Sequence, residues 1–158
     1  MVNRSQVRRK PVIVLAAGVF DVLHLGHVRF LEEAKRAGGK DAELIVIVAR
    51  DKTVEKRKGE KPVIPENQRR ALVESLKIVD EAILGYEEFD MGKVIQKVRP
   101  NVIAVGHDQA NIGENVRRAI AKRGLRTRVV KIGKFGEDEL NSSSEIKRKI
   151  IELYRRRS

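Results

Sequence analysis

The chain has 158 residues, enough for one domain with a single hydrophobic core. It contains no cysteine, which excludes disulfide bonds and thiolate metal sites. No apolar run approaches the length of a membrane span and no segment has the layout of a signal peptide, so we expect a cytoplasmic protein with no membrane partner. The formal net charge of +12 favours polyanionic partners. Because the basic residues are spread along the chain, with concentrations at its two ends, we expect no specific binding of nucleic acid.

Apolar strand-like runs alternate with helix-like segments. The predicted strands cover residues 11–17, 43–49, 82–85, 102–105 and 127–132. The predicted helices cover 28–37, 66–77, 91–98 and 112–123, with a last helix capped by Ser142 or a neighbouring serine and running to about Tyr154, and a charged loop is expected over 50–65. This alternation predicts an α/β fold: a Rossmann-like, doubly wound parallel sheet of about five strands with helices on both faces. We expect a single domain over residues 1–158, with flexible basic termini at 1–10 and 155–158.

The stretch from Gly18 to His27 contains two imidazoles and two glycines where the first strand passes into a helix. Helix N-termini expose unpaired backbone N–H groups and carry partial positive charge, which suits a phosphate. His24 and His27 add donors that can become cationic. Ligands of parallel sheets bind beyond the carboxyl ends of the strands, where this stretch falls. The sequence therefore predicts a polyphosphate site, and the alternative is that both histidines cap the helix or pack in the core.

Further candidate residues follow strand ends or begin helices. A basic loop follows the second strand and is a candidate ligand-binding segment, and the alternative is that the loop is only a solvated charged surface. Arg69 carries a guanidinium fork that can bind a phosphate in bidentate fashion, against the alternative of a surface salt bridge. Gly106 permits a ligand to approach the backbone closely, and the alternative is that it only forms an ordinary turn. Ser142, Ser143 and Ser144 stand at a helix N-terminus and predict a second phosphate cradle, against a simple helix cap.

The pattern His-x-Gly-His at 24–27 resembles the signature of the cytidylyltransferase-like nucleotidyltransferases, and the resemblance extends over nearly the whole chain. It implies that an acceptor phosphate attacks the α-phosphorus of a nucleoside triphosphate and that pyrophosphate leaves. It implies catalytic roles for His24 and His27, together with Lys56 or Lys58 from the basic loop, for which Lys52 is a weaker match. The implied nucleotide-binding residues are Gly18, Val19, Phe20, Asp21, Gly26, Arg69, Gly106, Asp108, Ser142, Ser143 and Ser144. The arginine that often precedes the serine motif in this family is replaced here by Lys131 and Lys134.

Within this superfamily the chain most resembles the archaeal FAD synthase family. The matching segments are 17–21, 45–51, 59–65, 82–85 and 106–109. The resemblance implies ATP and FMN as substrates, FAD and pyrophosphate as products, a homodimer, and a divalent cation, Mg²⁺, bound through the substrate phosphates and not by protein ligands. Two alternatives remain open. One is a CTP-dependent cytidylyltransferase acting on glycerol 3-phosphate or another small phosphorylated alcohol, and the other is a non-catalytic basic module that binds nucleotides or RNA.

Overall fold

The structure, a computed structural model, describes residues 10–88, 90–135 and 140–157. The elements in chain order are β1 (Ile13–Gly18), α1 (Leu25–Ala37), β2 (Glu43–Val48), α2 (Asp51–Lys58), α3 (Glu66–Glu74), β3 (Glu81–Leu84), α4 (Met91–Val98), β4 (Val102–Gly106), α5 (Ala110–Lys122), β5 (Arg128–Ile132) and α6 (Ser143–Arg155). The strands form one parallel sheet, so the predicted α/β fold is confirmed.

The strand order in the sheet is β3-β2-β1-β4-β5. The chain runs outward from β1 through β2 to β3 and then returns to place β4 on the other side of β1. In the register of these pairs, Gly18 lies beside Val48 and Ala16 lies beside Ala104. A reversal of this kind opens a crevice beyond the carboxyl ends of the central strands, which is where such sheets bind ligands.

Helices cover both faces of the sheet. On one face Leu31 of α1 and Val73 of α3 pack in a core with Val46 of β2. On the other face Ile95 of α4 packs with Leu15 of β1 in a second core. Because successive strand residues are buried on opposite faces, the strands are continuous apolar runs without polar alternation.

The loop predicted over 50–65 is wrong over Asp51–Lys58, which form α2. Val54 is the residue of this helix that is buried, so its sequence carries no apolar stripe to reveal it. The helix ends at Gly59, whose φ of 82° is the left-handed conformation that favours glycine at this position.

Two smaller differences concern helix bounds. The first helix begins at Leu25, three residues before the predicted start, so His24 is its N-cap and His27 lies in its first turn. The last helix continues through Arg155, the first residue of the predicted flexible C-terminal segment. Residues 1–9 and 158 of the predicted flexible termini lie outside the described residues. Within the described ranges, no helix combines the length and the apolar character needed to cross a membrane.

Candidate active site

A cleft of about 720 Å³ opens at the carboxyl ends of the central strands. Its walls come from the loop between β1 and α1, the end of α2 and the segment after it, the loop between β4 and α5, the segment after β5, and the start of α6. This volume lies within the range of small-molecule sites.

The histidine pair stands at the start of α1 inside this cleft. The rings of His24 and His27 are stacked, with centroids 3.8 Å apart and planes inclined by 27°. The backbone N–H of His24 donates to Nδ1 of His27 at 3.4 Å, so the proton of a neutral His27 ring sits on Nε2. Nδ1 of His24 is buried and has no hydrogen-bond partner among the described residues. The capping alternative is thus met by Nδ1 of His27 alone, and Nε2 of each ring remains for a ligand.

Burial sets the protonation of both imidazoles. Burial, and then the positive charge of His24, lowers the pKa of His27 to about 4, although Asp21 opposes the shift. Burial also lowers the pKa of His24 below its ordinary value. At neutral pH both rings are therefore neutral, and each offers one N–H donor. A bound polyphosphate would raise both pKa values, because an opposite charge favours the protonated form.

The loop that leads into the histidines has an unusual backbone. Phe20 and Val22 have φ angles of 54° and 49°, in the left-handed region that residues other than glycine rarely adopt. Such conformations persist only where surrounding contacts impose them, and they are concentrated at functional sites. The ring of Phe20 lies 5.3 Å from that of His27, so this loop also supports the imidazole pair.

Asp21, between these two residues, is the anchor of the loop. Its carboxylate accepts the backbone N–H groups of Val63 and Ile64, both at 2.9 Å, and Nζ of Lys147 lies 3.0 Å from Oδ2. Burial would raise the pKa of Asp21, but the two N–H groups and Lys147 together lower it. Since this carboxylate is occupied by protein donors, Asp21 shapes the cleft, and the predicted direct contact of its side chain with nucleotide remains a prediction.

The structure does not bring Arg69 to the cleft, which corrects its expected role. Its side chain is fully buried and donates to the backbone oxygens of Ile64, Val19 and Ala49. A fourth donation goes to Oδ1 of Asp51 at 2.6 Å. Its donors therefore join the β1–α1 loop to the segment after α2. The sequence had instead predicted that this guanidinium binds a phosphate in bidentate fashion.

Several cationic side chains line the cleft. Of the two lysines predicted to reach phosphates, Lys58 lines the cleft, while Lys56 is exposed and is not among the described lining residues. The other basic lining residues are Arg57, Lys61, Lys134 and Lys147. Arg57, Lys61 and Lys147 were not identified as site residues from the sequence. Lys134 was identified only as one of two lysines that replace the arginine often found before the serine motif. The helical spacing of Lys147, one turn after Ser143, is the signal that could have identified it.

The three serines of α6 have different surroundings. Ser142 caps the helix, since its Oγ accepts the N–H of Glu145 at 3.2 Å. Oγ of Ser143 donates to the backbone oxygen of Asp21. Ser144 is exposed, and all three serines line the cleft. The start of α6 therefore lies directly against the β1–α1 loop at one wall of the cleft.

Two of the predicted glycines, Gly26 and Gly106, do not line the cleft but lie next to residues that do. A Cβ on Gly26 would lie 2.8 Å from the backbone oxygen of Asn141, so glycine is required for α1 and the start of α6 to approach each other. Gly106 ends β4, and a Cβ there would lie 3.0 Å from Oδ1 of Asp108. Asp108 itself lines the cleft, as do Gly18, Val19 and Phe20.

No metal site is formed by protein side chains in the described ranges, where no three His, Cys, Asp or Glu residues cluster closely enough to hold an ion. Nε2 of each histidine and the basic side chains around the pair instead suit an anionic ligand. A cation would fit here as the counterion of a polyphosphate, held by that ligand's oxygens.

The fold and the site together define an α/β protein with a basic cleft, lined by a histidine pair, at the switch point of a parallel sheet. The cytidylyltransferase-like family matches residues 15–149, and the chain belongs to that family.

Similar proteins include one named FAD synthase from Ferroglobus placidus, which is 51% identical over 140 residues, 89% of this chain and 88% of its own. A protein of the same name from Methanobrevibacter smithii is 46% identical over 140 residues, 89% of this chain and 91% of its own. These matches confirm the resemblance to archaeal FAD synthases.

Solved structures show the same fold. A crystal structure from Thermoplasma volcanium GSS1, described as a lipopolysaccharide core biosynthesis protein, has a TM-score of 0.69 and 41% identity, and the match covers 80% of this chain and all of that one. A protein of unknown function from Archaeoglobus fulgidus has a TM-score of 0.61 at 18% identity, covering 79% of this chain and 99% of that one, and shows the fold alone.

Proposed function

We propose that the protein is a nucleotidyltransferase that transfers AMP from ATP to FMN and forms FAD and pyrophosphate. The observation that carries this proposal is the stacked pair His24 and His27 at the N-terminus of α1, inside a cleft with basic walls. The relatives named FAD synthase, which match about nine-tenths of the chain, support FMN as the acceptor and ATP as the donor.

In this reaction a phosphate oxygen of FMN attacks the α-phosphorus of ATP, a new P–O bond forms, and the bond to the leaving pyrophosphate breaks. The ionised FMN phosphate is itself the nucleophile, so the protein supplies position and charge stabilisation. His24 and His27 donate N–H groups to the phosphates, and the free N–H groups of the first turn of α1 face the same ligand. Lys58, with Arg57 from the same helix, neutralises the developing charge on pyrophosphate.

The divalent cation belongs to the proposal, and we take it to be Mg²⁺. When bound it would neutralise charge on the phosphate oxygens of ATP. The nearest buried carboxylate, that of Asp21, is already occupied by two backbone N–H groups and Lys147. The protein therefore contributes the binding site for the metal–nucleotide complex.

The cytoplasmic location expected from the sequence remains a prediction.

The proposal is tested by incubating the protein with Mg²⁺, each nucleoside triphosphate in turn and a panel of phosphorylated acceptors, with products identified by mass. FAD formed from ATP and FMN is the expected result. A cytidylylated product from CTP and glycerol 3-phosphate would favour the first alternative. Absence of any product, with an affinity for RNA that falls steeply with salt, would favour the binding module.

We also propose that the protein forms a homodimer through α6. In the described chain no residue of this helix is buried, and Ile150, Ile151 and Leu153 are each about half exposed. Exposed apolar side chains gathered on one helix are typical of an interface between chains. A second copy that covers them would lie beside the active cleft, because the same helix begins with Ser143 at the cleft wall.

A further inference from the structure

A second cavity lies at the β3 edge of the sheet, apart from the active cleft. It is a groove of about 400 Å³ between the ends of β2 and β3, the segment that follows β3, and α4. Its floor is apolar and consists of Ile47 and Ile83 from the strands with Val94 and Val98 from the helix. The phosphate chemistry proposed at the histidine pair leaves this groove without a role.

The rim of the groove is polar and aromatic. Tyr86 lines it with 41% of its surface exposed, and Lys97 lines it with an exposed side chain. Arg50 also lies on the rim, where its Nε donates to the backbone oxygen of Gly85 at 3.0 Å. The groove therefore combines an apolar floor with one aromatic ring, two cationic side chains and Glu87, whose carboxylate pairs with Lys52.

The groove and the cleft are separated by one strand. The N–H of Ala49 donates to the oxygen of Gly18 at 2.9 Å, and the N–H of Gly85 donates to the oxygen of Val48 at 2.9 Å. Since neighbouring strands are about 5 Å apart, Gly85 in the groove lies ~10 Å from Gly18 in the cleft. A five-carbon ribityl chain that ends in a phosphate ester can bridge this separation.

The wall between the two cavities is held in place. Oγ1 of Thr53 in α2 donates to the backbone oxygen of Glu87 at 2.8 Å, and Nζ of Lys52 lies 3.4 Å from the Glu87 carboxylate. Helix α2 thus contacts the segment after β3 with one turn and lines the active cleft with Lys58 at its end. A ligand that spans both cavities would cross the end of β2 beside the start of this helix.

We propose that the groove binds the isoalloxazine ring of FMN while the FMN phosphate lies in the active cleft. This inference rests on the proposed function. The ring is large and planar, with an apolar dimethylbenzene edge and an opposite edge that carries two carbonyl oxygens. The apolar floor matches the first edge, and Tyr86 offers a face for stacking. Lys97 offers donors to the carbonyl oxygens, and Arg50 offers its Nη2, since its Nε and Nη1 are already bound to Gly85 and Glu66.

The groove also supplies a reason for acceptor choice. Glycerol 3-phosphate has no apolar or aromatic part to occupy it, so binding in the groove adds affinity for a flavin alone. Selection of this kind arises from contacts remote from the reacting atoms.

Two variants test the proposal. Val98→Arg fills the groove from α4, and Tyr86→Ala removes the stacking face. We expect the KM for FMN to rise about tenfold in Tyr86→Ala, the size of effect that loss of one aromatic contact gives, and by at least as much in Val98→Arg. The KM for ATP should stay unchanged. The Ki of ribitol 5-phosphate, which is FMN without its ring, should also stay unchanged, and this separates loss of ring binding from general damage.

Matched controls are Val12→Arg, just before the central strand β1 and therefore at the amino ends of the strands, and Tyr154→Ala on α6, both at exposed positions. Neither control should alter the KM for FMN. If the wild-type protein makes FAD and the KM for FMN is unchanged in both groove variants, the groove proposal is overturned and the proposed function stands. If the wild-type protein makes no FAD but uses another acceptor, the proposed function is overturned and the groove proposal with it. Should Val98→Arg not fold, Tyr86→Ala decides alone.

Discussion

The ammonium group of Lys147 lies 3.0 Å from the carboxylate of Asp21, so the last helix of the chain is ion-paired to its first loop. Asp21 is almost fully buried, whereas Lys147 keeps a third of its side chain exposed toward the cleft. The pair thus connects the two cradles proposed for phosphate, the start of α1 and the start of α6.

Replacing this lysine should weaken nucleotide binding. In Lys147→Met the cleft loses one cation and Asp21 keeps only its two backbone donors, so we expect the pKa of Asp21 to rise and the KM for ATP to increase about tenfold. Lys149→Met, an exposed lysine on the same helix, is the matched control and should leave the KM unchanged. Steady-state kinetics with varied ATP checks this, and equal KM values for the two variants would contradict it.

His27→Ala should slow turnover by ~10²-fold or more, by comparison with the loss of one donor to a transition state. The fall should appear in kcat, because the donor acts on charge that develops as pyrophosphate leaves. The measurement is the rate of pyrophosphate release, with circular dichroism to show that the variant is folded. Near-wild-type turnover of a folded His27→Ala protein would remove the catalytic assignment.

The lowered histidine pKa predicts a pH dependence of stability. The pKa of His27 is about 4 in the folded protein and about 6.5 in an unfolded chain, so between these values the unfolded state binds more protons. The stability that His27 contributes is therefore present above pH 6.5 and is lost as the pH falls to 4. Urea denaturation between pH 7 and pH 4 should show a smaller fall in midpoint for His27→Asn than for the wild type.

A second measurement addresses the ligand directly. In a ¹H–¹⁵N NMR titration the His27 ring of the free protein should remain neutral down to about pH 4. Addition of a non-hydrolysable ATP analogue should move the titration to higher pH, because the polyphosphate favours the protonated ring. An unchanged titration in the presence of saturating analogue would place the phosphates elsewhere.

Arg69→Met should destabilise the fold by ~3 kcal/mol or more, since it leaves three backbone oxygens and the Asp51 carboxylate without a buried donor. Arg70→Met is the matched control. Arg70 is partly exposed, pairs with Glu74 on the helix surface and donates to the backbone oxygen of Ala82 at 3.2 Å, so its loss should cost only about 1 kcal/mol. Chemical denaturation of both variants tests this, and a similar small loss in both would show that Arg69 does not hold the loop.

Ile150→Asp should weaken the proposed dimer, because a carboxylate would be placed in an apolar interface. Sedimentation velocity over a range of concentrations measures the change, with Leu125→Asp as a control at an exposed apolar position outside α6. A wild-type protein that is monomeric at all concentrations would contradict the dimer.

The fold and the position of the cleft could be predicted because they depend on patterns that reach along the chain. Buried parallel strands are continuous apolar runs, and Gly18 to His27 follows directly after the first of them. Helix α2 could not be predicted in the same way, since with Val54 as its buried residue it has no periodic apolar face. Secondary structure without burial leaves little trace in hydrophobic spacing.

The role of Arg69 escaped prediction for a related reason. Arginine is rarely buried fully, and its four acceptors come from separate segments that sequence spacing does not bring together. The same holds for the groove beneath Tyr86, which exists only because β3, at the sheet edge, leaves part of α4 uncovered.

The packing of the start of α6 against the start of α1 has a consequence for how the protein is made. A chain still emerging from the ribosome would already hold the histidines but would lack Ser143 and Lys147, the residues that hold the loop before them. Truncated chains that end before Asn141 should therefore pass through a nucleotide affinity column without binding. Retention on such a column would show that the chain includes the final helix.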